Sequence, residues 1–248
     1  MAGKTLKTEA VVLRSIRYGE ADRILHIFTK EQGRVGAIAK GARRPSSRFG
    51  ARLEPFSHVE ILLHEGRGEL FTVTGVDLIR SHQGLAANPY RIAVGHIGLE
   101  AVSRLFIEHD SNPRAFHALV RFLDVLDEPT ARPATEAALD PLVLSFQLKL
   151  LWLAGYLPHL ASCASCAEPG PLVGFSAAAG GGVCQNCDEG ALQISAAGFL
   201  GVEALLEHPL SAARAAGLTT APARQTLRII EAVYEYHGGF RLRTLARR

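Results

Sequence analysis

The hydrophobic period changes once along this chain, near residue 81, and that change restricts the fold more than any other feature. Up to residue 80 the apolar residues come in short β-branched runs cut by glycine-containing turns. The run Glu9–Ile16 gives way to Arg23–Thr29 after a turn at Tyr18-Gly19-Glu20, and Arg34–Lys40 follows the turn at Gln32-Gly33. Val59–Leu63 and Leu70–Ile79 complete the set, separated by Glu65-Gly66-Arg67-Gly68. Five strands in about 75 residues predict a small barrel or sandwich. A five-stranded OB-fold barrel is one candidate, and an SH3-like barrel reads almost the same.

From residue 85 the spacing is helical. Asn88-Pro89 and Asn112-Pro113 each put a capping side chain before a proline at the first helical position. Ile92, His96, Leu99, Val102 and Phe106 recur at helical spacing in the first of these segments. Phe116, Leu119, Leu123 and Leu126 line the second. A third helix is expected from about Thr135 through Trp152, stopping at Gly155. Ser195 can cap another through Leu206, and a last one runs from Pro222 to His237 and ends at Gly238-Gly239. The expected class is α+β and multidomain: residues 1–80 form a β-barrel domain, and residues 81–248 a helical domain with an insert at about 159–190. No internal repeat is present. With 248 residues, 48% of them apolar, the chain can build its cores without disulfides.

The insert is defined by cysteines. All four lie within 25 residues, as Cys163-x-x-Cys166, a gap of 17, and Cys184-x-x-Cys187. A C-x-x-C turn lets two thiolates converge on one ion while its backbone amides reach the sulfurs. Two such turns supply a tetrahedral set, the pattern of a structural zinc site. Four thiolates close the coordination sphere, so the site is expected to be structural and not catalytic. His159 precedes the cluster and could replace a ligand, but four thiolates make it unnecessary.

Charge is distributed unevenly. Residues 1–80 hold 14 Lys and Arg against 9 Asp and Glu, a net of +5, whereas the remainder has a net of −2. Between Arg34 and Arg52 lie Lys40, Arg43, Arg44 and Arg48, and no acidic residue. This places a long, exposed, cationic loop between the third and fourth strands, suited to an anionic polymer. Its serines and backbone amides can also reach phosphate oxygens. Phe49 among these cations is expected to stack on a base, and Arg14 and Arg17 of the first strand are further candidates. A second basic patch, Arg241, Arg243, Arg247 and Arg248, closes the chain.

Other chemistry finds no home in the sequence. Gly3-Lys4-Thr5 resembles the end of a phosphate loop but lacks the upstream glycine and strand. His58-Val59-Glu60 offers the His-x-Glu of zinc deaminases, but about a hundred residues separate it from Cys163 and no proline precedes the C-x-x-C. His58 reads instead as a partly exposed strand-edge histidine. There is no dinucleotide fingerprint or nucleophile elbow, and no small-molecule substrate is expected. No apolar stretch is long enough to cross a membrane, and Met1 to Lys7 does not read as a secretory signal. A cytosolic protein with reduced thiols is expected.

Tyr18-Gly-Glu-Ala-Asp-Arg23, Lys40-Gly-Ala-Arg-Arg-Pro-Ser-Ser-Arg-Phe-Gly50 and Leu53-Glu-Pro-Phe56 resemble the N-terminal domain of the RecO family of bacterial DNA repair proteins. Gly155-Tyr-Leu-Pro158, Cys163-x-x-Cys166, Gly174-Phe-Ser176 and Cys184-x-x-Cys187 continue that resemblance in the same order. The resemblance implies an N-terminal OB-fold, a helical domain with a zinc insert, and a non-enzymatic recombination mediator of the RecF pathway. Such a mediator binds single- and double-stranded DNA and anneals complementary strands. With RecR it helps RecA load onto DNA covered by single-strand-binding protein. The family's basic OB surface maps onto Arg14, Lys40, Arg43, Arg44, Arg48 and Arg52. Some members lack the four cysteines, so the metal is not the source of the shared activity. The other classes left open are a zinc-dependent enzyme acting on nucleic acid and an RNA-associated zinc protein.

Overall fold

The computed structural model describes residues 4–66, 68–129, 134 and 136–245. Two compact units emerge, one comprising Met1–Arg91 with Phe106–Glu128 and the other Ile92–Leu105 with Pro129–Arg248.

In the first unit, strands β1 (Thr5–Tyr18), β2 (Asp22–Thr29), β3 (Gly33–Ala39), β4 (His58–His64) and β5 (Phe71–Arg80) close into a barrel of order β1-β2-β3-β5-β4. The β3–β5 pair is parallel and the other neighbours are antiparallel. This five-stranded closed topology is the OB-fold, which replaces the sandwich and SH3-like readings. Strand period 2 decides the core: Val35, Ala37 and Ala39 point inward with Leu25, Ile27, Val59, Ile61, Leu63 and Val73. In β1 the register shifts between Val12 and Arg14, so one extra residue bends the strand and turns Arg14 outward, opposite His26.

Helices α1 (Gln83–Ala86), α2 (Pro89–Leu105) and α3 (Pro113–Asp127) follow. The Asn112 side chain accepts from the Ala115 amide at 2.9 Å, and Asn88 accepts from the Tyr90 amide at 2.9 Å. The α3 face is buried as expected at Phe116, Leu119, Leu123 and Leu126. The Phe116 ring packs tilted beside Phe28 of β2, with centroids 6.3 Å apart. Of the expected stripe Leu99, Val102 and Phe106 are buried and Ile92 is half-buried, while His96 is exposed and Val94, Ile97 and Ala101 take up the rest of the buried α2 face. His58 is not partly exposed. It is buried, with Nε2 3.0 Å from the Glu9 carboxylate. The loop before α3 seats on the β2–β3 turn because residue 33 is glycine: φ is +63° and a Cβ there would lie 1.9 Å from the Asp110 carbonyl oxygen.

In the second unit, helix α4 (Pro141–Leu153) is buried almost all round and packs against α5 (Ala196–Glu207) and α6 (Thr220–Gly238). It starts at Pro141, later than expected. Ala137–Leu139 is a 3-10 turn, and Thr135 lies outside the described residues. Asp140 explains the start: fully buried, it accepts from the Leu142 amide at 2.9 Å and from Arg214 Nη2 at 2.7 Å. Ser145 donates to the Leu205 carbonyl at 2.9 Å, and Lys149 caps the end of α5 through the Leu205 and Leu206 carbonyls. Ser195 caps α5 as expected, and α6 ends at Gly239 in the left-handed region. Between α4 and α5, strands β6 (Gly174–Ser176), β7 (Gly181–Val183) and β8 (Leu192–Gln193) form a small sheet of order β7-β6-β8.

Removing the Asp140 carboxylate strands Arg214 and uncaps α4. Asp140→Ala is expected to cost about 3–5 kcal/mol, and Asp140→Asn, which keeps a capping acceptor, less. Urea unfolding of both variants checks this.

Candidate nucleic-acid interface and metal centre

The segment joining β3 to β4 has apolar residues that turn in and basic residues that turn out. Ala42, Phe49 and Leu53 are buried in the barrel core cluster. Phe49 is only 4% exposed, so the base-stacking role expected for it is replaced by that of an anchor. Backbone hydrogen bonds fix the path: the Gly41 amide donates to Asp22 Oδ1 at 2.7 Å and the Arg43 amide to the Ala21 carbonyl at 2.8 Å. Lys40, Arg43, Arg44, Arg48 and Arg52 are left exposed.

Three of these cations, Lys40, Arg44 and Arg48, border an open cleft of about 400 Å³. Lys40, Gly41, Arg44, Ser46, Ser47 and Arg48 line one side, and Thr72, Val73 and Thr74 of β5 the other. Arg48 is held in place: Nη2 donates to the Thr74 carbonyl at 2.8 Å and the guanidinium sits 5.4 Å from the Phe49 ring centroid. Arg52 Nη1 donates to the Arg48 carbonyl at 2.8 Å, and Arg43 Nη1 to the Gly19 carbonyl at 3.3 Å. Among the described residues none of Arg14, Lys40, Arg43, Arg44, Arg48 and Arg52 pairs with a carboxylate. Other cations of this unit are neutralised: Arg23 by Glu54, Arg34 by Glu108, Lys30 by Glu9 and Arg80 by Asp124. The structure therefore brings Lys40, Arg44 and Arg48 to one cleft, sets Arg43 and Arg52 beside it, and places Arg14 on the outward face of β1. Thr72 and Thr74 were not anticipated, since nothing in a strand's sequence tells which hydroxyls meet a crossing loop.

The basic end of the chain fares differently. Arg241 forms a two-pronged pair with Glu235. The Arg243 amide donates to Glu100 at 3.0 Å, while Arg247 and Arg248 lie outside the described residues.

The four cysteines converge as expected. Their sulfurs all lie within 4.8 Å of one another, and Cys166 Sγ is 3.8 Å from Cys184 Sγ. One turn is closed by the Ala167 amide on the Cys163 carbonyl at 2.8 Å, the other by the Cys187 amide on the Cys184 carbonyl at 3.0 Å. The Cys184 amide donates to Cys163 Sγ at 3.4 Å. That amide, followed by those of the first turn, draws the Cys163 thiol down to about 6. Cys187 is pushed up to about 12 by the crowding Cys166 and Cys184 sulfurs. Four thiols packed this closely cannot all ionise without a cation among them, and the set could hold a metal ion. His159 stands apart: its backbone pairs with Gly181, and its ring hydrogen-bonds Ser162 at 2.9 Å. Gly181 is required there, since a Cβ would lie 2.1 Å from the His159 carbonyl oxygen.

Comparison with known families decides where these features belong. The family described as Recombination protein O N terminal matches residues 1–82, and Recombination protein O C terminal matches residues 86–246. The chain belongs to the RecO family. It is 42% identical over 183 residues to a DNA repair protein RecO of Rubrobacter xylanophilus, covering 73% of this chain and 71% of the relative. It is 34% identical over 244 residues to the RecO of Anaeromyxobacter sp. (strain K), covering 96% and 93%. The RecO of Anaeromyxobacter dehalogenans (strain 2CP-1) is 35% identical over 243 residues. Both RecO regions are thus present, in the order in which the barrel and the helices occur. Among the described residues no helix is long and apolar enough to cross a membrane.

The two roles within the basic segment separate by substitution. Phe49→Ala is expected to lower stability by about 3–5 kcal/mol, whereas Arg44→Ala, at an exposed position, stays within about 0.5 kcal/mol. Chemical denaturation of the two variants checks this.

Proposed function

We propose that this chain is a non-enzymatic recombination mediator of DNA repair that binds DNA through the cleft beside β5. The observation that carries this reading is the run of exposed, carboxylate-free cations around that cleft, on a barrel of the oligonucleotide-binding topology. Arg14, Lys40, Arg43, Arg44, Arg48 and Arg52 supply the charge. Lys40 and Arg44 are free to follow a phosphate chain, while Arg48 shapes the wall. Membership of the RecO family supports the finer steps: binding of single- and double-stranded DNA, annealing of complementary strands, and joint action with RecR to load RecA onto DNA coated by single-strand-binding protein. The working site is then the nucleoid, in the cytoplasm. We take residues 1–80 as the OB domain and residues 81–248 as the helical domain, with the metal insert at about 159–190. The deaminase reading gains no support, because His58 is bonded to Glu9 and Glu60 to Lys7.

For the metal we propose zinc, held by Cys163, Cys166, Cys184 and Cys187. A tetrahedral ion with bonds of about 2.3 Å sets its sulfurs about 3.8 Å apart, close to the Cys166–Cys184 separation. With four thiolate ligands the ion has no open position, and it stabilises the turns of a module whose strands have only two or three residues each. Purified protein is expected to carry one equivalent of zinc, and a Cys163→Ser, Cys166→Ser variant none. Retention of a full equivalent by that variant overturns the ligand set.

If about five phosphates are neutralised, the logarithm of single-strand affinity falls with the logarithm of salt at a slope near −3.5, about a hundredfold between 50 and 200 mM. Fluorescence anisotropy across that range, with wild type and an Arg43→Ala, Arg44→Ala, Arg48→Ala variant, tests the site. The variant is expected to bind more weakly, to show a shallower slope and to lose strand annealing. Unchanged affinity rules the cleft out.

A further inference from the structure

The β1–β2 hairpin carries Tyr18-Gly19-Glu20, a segment that the cleft does not use. Tyr18, the last residue of β1, is 54% exposed, and its side chain makes no hydrogen bond or ring contact among the described residues. Every other described Phe or Tyr of its unit is buried or half-buried. A single exposed aromatic is ordinary on its own, but two observations give this one a purpose. The first is the register. Arg14, Ile16 and Tyr18 stand opposite His26, Ile24 and Asp22, and Ile24 stands opposite Ile38, so these residues share the outward face of β1, β2 and β3. One end of that face is covered where Phe28 meets Phe106 and Phe116. The Tyr18 end is open, with Ile16, Ile24 and Ile38 half-buried along it. The second is the link to the cations. Arg43 reaches the hairpin with both backbone and side chain, donating to the carbonyls of Ala21 and Gly19. The segment that carries the unpaired charges is therefore tied to the turn next to the ring.

We propose that Tyr18 is a base-stacking residue for single-stranded DNA, placed at the end of the strand path whose phosphates lie on the β3–β4 cations. It takes the role that Phe49, buried in the core, does not have. This rests on the nucleic-acid reading of the cleft and adds to it a means of discrimination. A base in a duplex already stacks on its neighbours, whereas an unpaired base offers a free π face of any identity. Charge alone attracts both forms, and the ring favours the unpaired one.

The test is anisotropy with a fluorescein-labelled oligo(dT) and with a duplex of mixed sequence, using Tyr18→Ala and Tyr18→Phe. Tyr18→Ala is expected to weaken single-strand binding by about 5- to 150-fold with an unchanged salt slope, and to leave duplex affinity within about twofold. Tyr18→Phe retains single-strand affinity. No loss in Tyr18→Ala, an equal loss on duplex and single strand, or an equal loss in Tyr18→Phe overturns the proposal. If the Arg43/Arg44/Arg48 variant is weakened while Tyr18→Ala is not, stacking fails and the cleft stands; if neither is weakened, the cleft reading fails as well.

Discussion

The parallel pairing of β3 with β5 fixes where the basic segment goes. In a barrel of order β1-β2-β3-β5-β4, β3 and β4 are consecutive in sequence but separated by β5. Their connection must therefore cross the end of β5. That is why residues from Lys40 onward meet Thr72 to Thr74, and why Arg48 can bond the Thr74 carbonyl. A crossing connection needs anchors, and Ala42, Phe49 and Leu53 provide them by entering the core. Once these three are inside, the intervening Arg43, Arg44 and Arg48 have nowhere to go but water. Chain topology, more than any local preference, turns a basic run into a one-sided charged surface.

The cysteine module shows a different economy. Strands of two or three residues bury too little to hold themselves. The sulfur cluster supplies what apolar burial cannot, since a bound ion contributes folding energy directly. Its support is local: the Ala164 amide on the Gly182 carbonyl at 2.8 Å and the Cys184 amide on Cys163 Sγ tie the first turn to β7 and to the second turn. The chemistry of the donor set suits a brace for the insert.

Much of this was legible in the sequence, and what was not has physical causes. The five strands, the Asn112 and Ser195 caps and the cysteine cluster follow from local rules, and local rules survive folding. The closed strand order does not, because barrel, sandwich and SH3-like patterns share the same alternation. Phe49 reads as a surface residue because its neighbours are cations, whereas its burial depends on a strand about twenty residues further on (β5). His58 reads as surface because it begins a strand, but Glu9 of β1 gives the buried ring a partner. The start of α4 at Asp140-Pro141 repeats the signal of Asn112-Pro113 but is masked in the sequence. The pull of the apolar run around it hid a cap whose second partner, Arg214, lies 74 residues away.

In the proposed binding mode, charge and ring contribute in ways that differ with conditions. Phosphate contacts release counterions, so their contribution shrinks as salt rises and is shared by duplex and single strand. Stacking releases no ions and persists when the phosphate term has faded. Strand annealing needs both behaviours: a strand must be held firmly enough to be presented and given up once its bases find complements. A base that pairs joins a duplex stack and no longer offers a free face, so under the proposed role of Tyr18 pairing itself removes the contact that distinguishes the two forms. Under the proposed stacking role the duplex product is held by charge alone, whereas each single strand is held by charge and ring.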